Sequence, residues 1–160
     1  AAAAEACARM GRRGVLLTRY PEQIPSSLPS GVRHFDYVPF STLLPHAAAL
    51  VHHGGIGTTS QALRAGVPQV ISPMAHDQMD NAARVRRLGV GERLAPRRYH
   101  APTLAAALTR LLESSQVAAA CRDVARRFDG RHPLDEACDA LEELAQRQPA
   151  AAAEPVGTET

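Results

Sequence analysis

The chain contains no lysine and no tryptophan, and only three cysteines among its 160 residues. Without lysine the phosphate loop G-x-x-x-x-G-K-[ST] is excluded, because its Lys is the group that reaches the terminal phosphates. All 18 strongly basic residues are arginine, a bias that resembles GC-rich bacterial codon usage and makes arginine count a poor guide to function. Arg84, Arg86, Arg87, Arg93, Arg97 and Arg98 cluster, and a solvated helix face explains them. Cys7, Cys121 and Cys138 are odd in number, far apart and without C-x-x-C spacing. They read as reduced, partly buried thiols of a cytosolic protein, not a disulfide framework. No apolar run approaches the ~20 residues of a membrane span. The opening "AAAAEACARMGRRG" reads as an amphipathic helix and a break, not a signal peptide. A net charge of +2 is too small to argue for nucleic acid or an anionic membrane.

What is present is enough for one core. Hydrophobic residues make up 45% of the chain, which suits a globular domain over residues 1–147. Residues 148–160 have nothing to bury and are expected to form a disordered tail. The pattern inside the domain alternates. A helix over 1–10 precedes "GVLLTRY", a short buried-strand pattern, and the loop "PEQIPSSLPSG". "VRHFDYV" is a strand ending at Pro39, and "STLLPHA" one helical turn capped by Ser41. "AALVHH" is too short for a helix and reads as a strand buried on both faces.

A helix from about Ile56 to Ala65 stops at Gly66, with Pro68 beyond. "PQVIS" is the next buried strand. The helix after it, about Asp77 to Leu88, places Met79, Ala82, Val85 and Leu88 on one side. "GERL" is a short strand. Leu104, Leu108, Leu111 and Leu112 recur at i, i+4, i+7 and i+8, an amphipathic helix. Helices over 116–128 and 133–146 complete the chain. Strands alternating with ten-residue helices predict a Rossmann-like parallel sheet covered on both faces, with ligands at the carboxyl ends of its strands.

One such end is "LVHHGGIGTTSQAL", residues 50–63. A helix N-terminus offers unpaired N–H groups and about half a positive charge. Gly54, Gly55 and Gly57 let the backbone approach an anion, Thr58 and Thr59 add hydroxyls, and His53 can donate a ring N–H. The pattern suits a diphosphate; a plain strand-to-helix turn with solvated histidines is the alternative. The dinucleotide fingerprint fails, because "GIGTTS" places Ser60 at its third glycine and Asp77 lies in a loop, not at the strand end where a ribose-binding acid belongs. A zinc site from His52, His53, His76 and Asp77 is opposed by geometry, since adjacent strand residues face opposite ways. The loop "SPMAHDQMDNAA" follows the next strand and should lie beside the glycine loop. Its Asp77 and Gln78 pair an acceptor with a donor–acceptor, which suits vicinal sugar hydroxyls. Asp77 as a helix cap is the bland alternative.

Taken together, "HHGGIGTTSQALRAGVPQVISPMAHDQMDNAARVRRLGVG" resembles the nucleotide-sugar-binding half of inverting GT-B glycosyltransferases of the UDP-glycosyltransferase superfamily, with rhamnolipid-forming rhamnosyltransferases the nearest branch. The resemblance covers about residues 14–128. It implies that His53 binds the diphosphate and that Gly55, Gly57 and Thr58 hold the phosphates. It places Val38 at the pyrimidine edge and Tyr37 where plant members stack a Trp on the base. Asp77 and Gln78 fall on the pair that holds the donor sugar. Gln61 stands where many members have a ribose-binding Glu, a departure that bears on ribose contact and nucleotide preference.

The resemblance further implies a hexosyltransferase that uses a UDP- or dTDP-sugar, without metal or other cofactor. Its acceptor is a hydrophobic small molecule or lipid held by an N-terminal domain. The catalytic base is expected in that half, so none is assigned here. A cytoplasmic enzyme follows, with peripheral membrane association open to the intact protein and no nucleic-acid partner. A start inside a helix without Met suggests a piece of a longer protein that lacks the first strand of this half, at the centre of the sheet. A non-catalytic nucleotide-binding module is the alternative function.

Overall fold

The structure is a computed structural model and describes residues 1–128, 130 and 133–147; the tail expected at 148–160 lies outside the described residues. The chain divides into two compact units, Ala1–Arg127 and Phe128–Thr160. In the second, a helix over Pro133–Arg147 keeps Leu134, Leu141 and Leu144 exposed.

The first unit is the α/β domain. It opens with α1 (Ala2–Arg9), an alanine-rich helix with an exposed Glu5–Arg9 pair at i,i+4, ended at Gly11 with φ +61°. Strands β1 (Gly14–Leu17) and β2 (Val32–Phe35) follow, then the short α2 (Phe40–Leu43). Next come β3 (Leu50–His52), α3 (Ile56–Arg64), β4 (Gln69–Ile71), α4 (Gln78–Arg87) and β5 (Gly91–Arg93). The unit closes with α5 (Ala101–Glu113) and α6 (Ser115–Arg126). Gly66, at φ +66°, ends α3 where the sequence places the stop. Ser114 caps α6 by accepting the Val117 N–H at 3.2 Å.

The core follows the helical period of α5. Leu104, Leu108 and Leu111 are buried with Ala6 of α1, Val70 of β4 and Leu94 after β5. Each buried leucine contributes about 1.5–3 kcal/mol, so α5 and α1 are held by packing and not by helix propensity. A smaller cluster of Leu44, Ala62 and Val67 fixes α2 to α3.

Every strand pair is parallel. The strands form two sheets, β1–β2 and β3–β4–β5, and β1 does not pair with β3. Residues of both, including Leu16, Leu17, Leu50 and Val51, line one cavity of about 1390 Å³ with Leu104 and Leu108 of α5. Among the described residues no strand lies between the two edges.

Several local expectations are corrected. β1 and β3 are not fully buried: Val15 is 47% exposed and all of β3 is half-buried, because each has a neighbour on one edge only. β2 ends at Phe35, so Asp36, Tyr37 and Val38 lie in the loop after it. Met79 and Leu88 of the α4 stripe are exposed; only Ala82 and Val85 bury. Ser41 sits inside α2, whose N-cap is Pro39. Cys7, Cys121 and Cys138 are free thiols. Among the described residues no helix is long and apolar enough to cross a membrane.

Candidate functional site

The carboxyl end of β3 passes through His53, Gly54 and Gly55 into the first turn of α3. Gly55 is the N-cap, with extended backbone and no side-chain cap, so the first N–H groups of α3 keep no side-chain acceptor at that position. The His53 ring lies against Gly55: a Cβ built there would meet its Nε2 at 2.9 Å. Gly55 thus lets the imidazole sit beside the helix terminus. At Gly57 an added Cβ would meet nothing within 4 Å, which leaves room above the first turn. Gly54 has a different reason to be glycine. Its φ is +99°, and a Cβ would stand 2.6 Å from Ile71 Cγ2; its need is packing against β4, not anion approach.

The two threonines separate. Thr59 is buried and its hydroxyl donates to the Gly55 carbonyl at 3.0 Å, so the expectation that it serves an anion is corrected. Thr58 lines the large cavity together with His53. Ser60 likewise donates to the Gly57 carbonyl, at 3.1 Å.

His52 is turned toward β4. Its Nε2 donates to Gln69 Oε1 at 2.9 Å and its Nδ1 accepts the Gly54 N–H at 3.1 Å. That pair of partners requires the neutral ring, since a charged imidazole has no acceptor. Burial lowers the His52 pKa, the Gln69 hydrogen bond opposes this, and nearby His53 adds to the lowering. His52 and His53 stand edge to face, with centroids 6.4 Å apart. Among the described residues no group of three metal-ligating side chains converges.

Beside the glycine loop, the segment after β4 carries Asp77 and Gln78. Gln78 Oε1 accepts the N–H groups of Met74 and Ala75 at 2.8 and 3.1 Å, which staples the loop and turns the amide nitrogen away from those contacts. Asp77 stands at the N-cap of α4 but makes no capping bond. One oxygen accepts from Asn81 Nδ2 at 2.7 Å, so the capping alternative is set aside. Among the described residues His76, with φ +54°, is the non-glycine residue held in the left-handed region.

Tyr37, Val38 and Gln61 line a second cavity, of about 500 Å³, with Thr18, Arg19, Asp36 and Phe40. Arg19 stacks on the Tyr37 ring at 5.5 Å, a cation–π contact. The Gln61 amide donates to the Gly57 carbonyl at 3.3 Å. Thr18, Arg19 and Asp36 carry no signal in the sequence; only the parallel pairing of β1 with β2 brings their loops together. The structure therefore places His53, Gly55, Gly57 and Thr58 at one strand end. Tyr37, Val38 and Gln61 share the neighbouring cavity, and Asp77 and Gln78 occupy the adjoining loop.

Comparison with known proteins agrees with this fold. Residues 15–144 match the model of the erythromycin biosynthesis protein CIII-like C-terminal domain. The O-mycaminosyltylonolide 6-deoxyallosyltransferase of Streptomyces fradiae is 38% identical over 144 residues, covering 89% of this chain and 33% of the relative. The aclacinomycin-T 2-deoxy-L-fucose transferase of Streptomyces galilaeus is 40% identical over 119 residues, covering 73% and 27%. Among solved structures, glycosyltransferase VinC in complex with DTDP superposes with a TM-score of 0.82 at 32% identity, over 91% of this chain and 37% of that one. The chain thus spans about a third of the length of these relatives. Its parallel sheets flanked by helices are the Rossmann-like half of the GT-B fold.

Proposed function

The chain belongs to the family of erythromycin biosynthesis protein CIII-like C-terminal domains, and from that membership we propose that it is the donor-binding domain of a hexosyltransferase. The whole protein would transfer a hexose from a nucleoside diphosphate to a hydrophobic small-molecule or lipid acceptor, with inversion. Deoxyhexoses, as in the names of two relatives, and dTDP, as in the VinC complex, are the favoured donor parts. The resemblance of the motifs to rhamnolipid-forming rhamnosyltransferases is compatible with this acceptor class.

The observation that carries the reading is the meeting of His53, the bare N-cap Gly55 and Thr58 at the end of β3, beside the cavity of Tyr37, Val38 and Gln61. In this role Tyr37 and Val38 take the pyrimidine and Gln61 the ribose. The N–H groups of Gly57 and Thr58 and the His53 ring take the diphosphate. As the anomeric bond breaks, negative charge grows on the leaving diphosphate, where the α3 terminus and His53 already point. The reaction so drawn uses no metal and no resident cofactor. Asp77 and Gln78 hold the sugar. The base that deprotonates the acceptor belongs to the N-terminal half of the whole enzyme, a cytoplasmic protein with peripheral access to membranes.

Calorimetry on the 160-residue chain tests this. dTDP and UDP should bind more tightly than NAD or ATP. His53→Ala should weaken dTDP by about 1–3 kcal/mol, the value of a charge-assisted hydrogen bond. Gln78→Ala should leave dTDP unchanged and weaken dTDP-glucose. Equal affinity for NAD would defeat the assignment, and a Gln78→Ala loss as large for dTDP as for dTDP-glucose would remove that loop from the sugar.

A further inference from the structure

One hydrogen-bonded relay runs from α3 to the Asp77 loop, and of its members His52 lines the large cavity beside His53 and Thr58. Gln69, buried in β4, donates to the Thr59 carbonyl at 3.5 Å and accepts from His52 Nε2. His52 Nδ1 accepts the Gly54 N–H. The Gly54 carbonyl in turn accepts from Asn81 Nδ2 at 2.9 Å, and the second hydrogen of that amide goes to Asp77 Oδ2 at 2.7 Å. Asn81 is 7% exposed. The directions are mutually consistent: each donor meets one acceptor, and the chain has one neutral tautomer of His52 and one orientation of each amide. Both ends of the Gly54 peptide segment are therefore gripped, one by the half-buried His52 of β3 and one by the buried Asn81 of α4.

We propose that His52 and Asn81 are positioning residues for the nucleotide-sugar donor. Acting through Gly54, they hold the diphosphate loop and the sugar loop in one register. The inference rests on the donor-site reading above. Its physical content is that Gly54, at φ +99°, is in a conformation with no intrinsic preference for one peptide orientation. A loop of this kind binds tightly only when its ordering is complete before the ligand arrives. His52 supplies that order from the strand side, and Asn81 transmits it to Asp77. Occupation of the diphosphate position should then favour the sugar position, and the reverse.

Two substitutions at one residue separate positioning from packing. Asn at position 52 places its amide oxygen near the place of Nδ1 and keeps an acceptor for the Gly54 N–H. Gln reaches toward Gln69, as Nε2 does, and leaves Gly54 without its acceptor. His52→Asn should bind dTDP within about threefold of the unaltered chain, and His52→Gln about tenfold more weakly, the size of one lost hydrogen bond. Asn81→Ala should weaken dTDP-glucose by a further factor of about five beyond its effect on dTDP, since it also frees Asp77. Melting temperatures of the variants are measured alongside, because a purely structural role would shift stability without these splits.

Nitrogen-15 shifts of the His52 ring in the unaltered chain give an independent reading that needs no variant. The neutral Nε2–H tautomer is expected, and the Nδ1–H tautomer would overturn the inference. Equal dTDP affinities for His52→Asn and His52→Gln would also overturn it, as would equal losses of dTDP and dTDP-glucose in Asn81→Ala. If His53→Ala binds dTDP like the unaltered chain, the donor-site reading itself fails. If His53→Ala weakens dTDP while the two His52 variants agree, only the positioning role fails.

Discussion

Strands β1 and β4 have comparable apolar sequences, GVLL and QVI, but every residue of β4 is buried while β1 is half-exposed, with Val15 at 47%. β4 has β3 on one edge and β5 on the other, whereas β1 has only β2. The hydrophobic pattern of a short parallel strand thus reports what the strand can tolerate; its burial is set by the number of its neighbours. The same contrast divides the candidate site. The diphosphate and sugar loops spring from the well-packed β3–β4–β5 sheet and are tied by the Gln69–His52–Gly54–Asn81 relay. The base cavity is built from loops after β1 and β2, where only Val32 of the strand residues is buried.

Matched glycines give the sharpest way to break this comparison. Gly91 opens β5 and Gly14 opens β1. A Cβ at Gly91 would stand 2.3 Å from the Gln69 carbonyl oxygen and 2.7 Å from Val85, where the backbone of the central strand cannot yield. Gly91→Ala should cost about 3 kcal/mol of unfolding free energy in urea. A Cβ at Gly14 meets Cys7 Sγ at 2.7 Å, a side chain that can rotate, so Gly14→Ala should cost about 1 kcal/mol. Equal costs would mean that the two sheets are equally constrained.

A smaller effect is expected from pH. His52 is held neutral in the folded chain, with its pKa lowered from 6.5, so below that value the unfolded chain binds the proton first. The stability due to the neutral ring is complete above 6.5 and is lost as pH falls toward the lowered folded value. Urea unfolding of the unaltered chain should therefore weaken on acidification more than that of His52→Asn. The smallest effect belongs to the Arg110–Glu92 pair joining α5 to β5, at 2.6 Å but with the Arg110 side chain 60% exposed. Arg110→Ala should cost less than about 1 kcal/mol, because exposed pairs are screened.

Much of this was legible in the sequence where local chemistry decides. The leucine period of α5, the glycine stop of α3 and the His53–Gly55–Gly57–Thr58 cluster are each written within one turn or one strand end. The misread features depend on partners distant in sequence. Thr59 looks like an anion donor until its hydroxyl is seen turned back to Gly55. Asn81 lies 27 residues from the Gly54 it holds, and no spacing rule announces that contact. Met79 and Leu88 fit the α4 stripe by period, but they lie at its two ends and stay exposed while Ala82 and Val85 between them bury. The capping role allowed for Asp77 gave way to Asn81, whose amide donates to Asp77 Oδ2 at 2.7 Å while no capping bond forms.

The two sheets also differ in how their edges are guarded. The outer strands β2 and β5 each carry an exposed arginine, Arg33 and Arg93, and a charge on an edge strand discourages another chain from adding to it. β1 and β3, whose unpaired edges line the 1390 Å³ cavity, contribute only GVLL and LVH. With no lysine anywhere in the chain, the commonest gatekeeper is unavailable to them. Self-association of this polypeptide in solution should therefore proceed by main-chain addition at the inner edges. It should grow with protein concentration and respond little to added salt, because backbone hydrogen bonds, unlike surface charges, are not screened. Light scattering across a concentration and salt series would read out this colloidal behaviour directly.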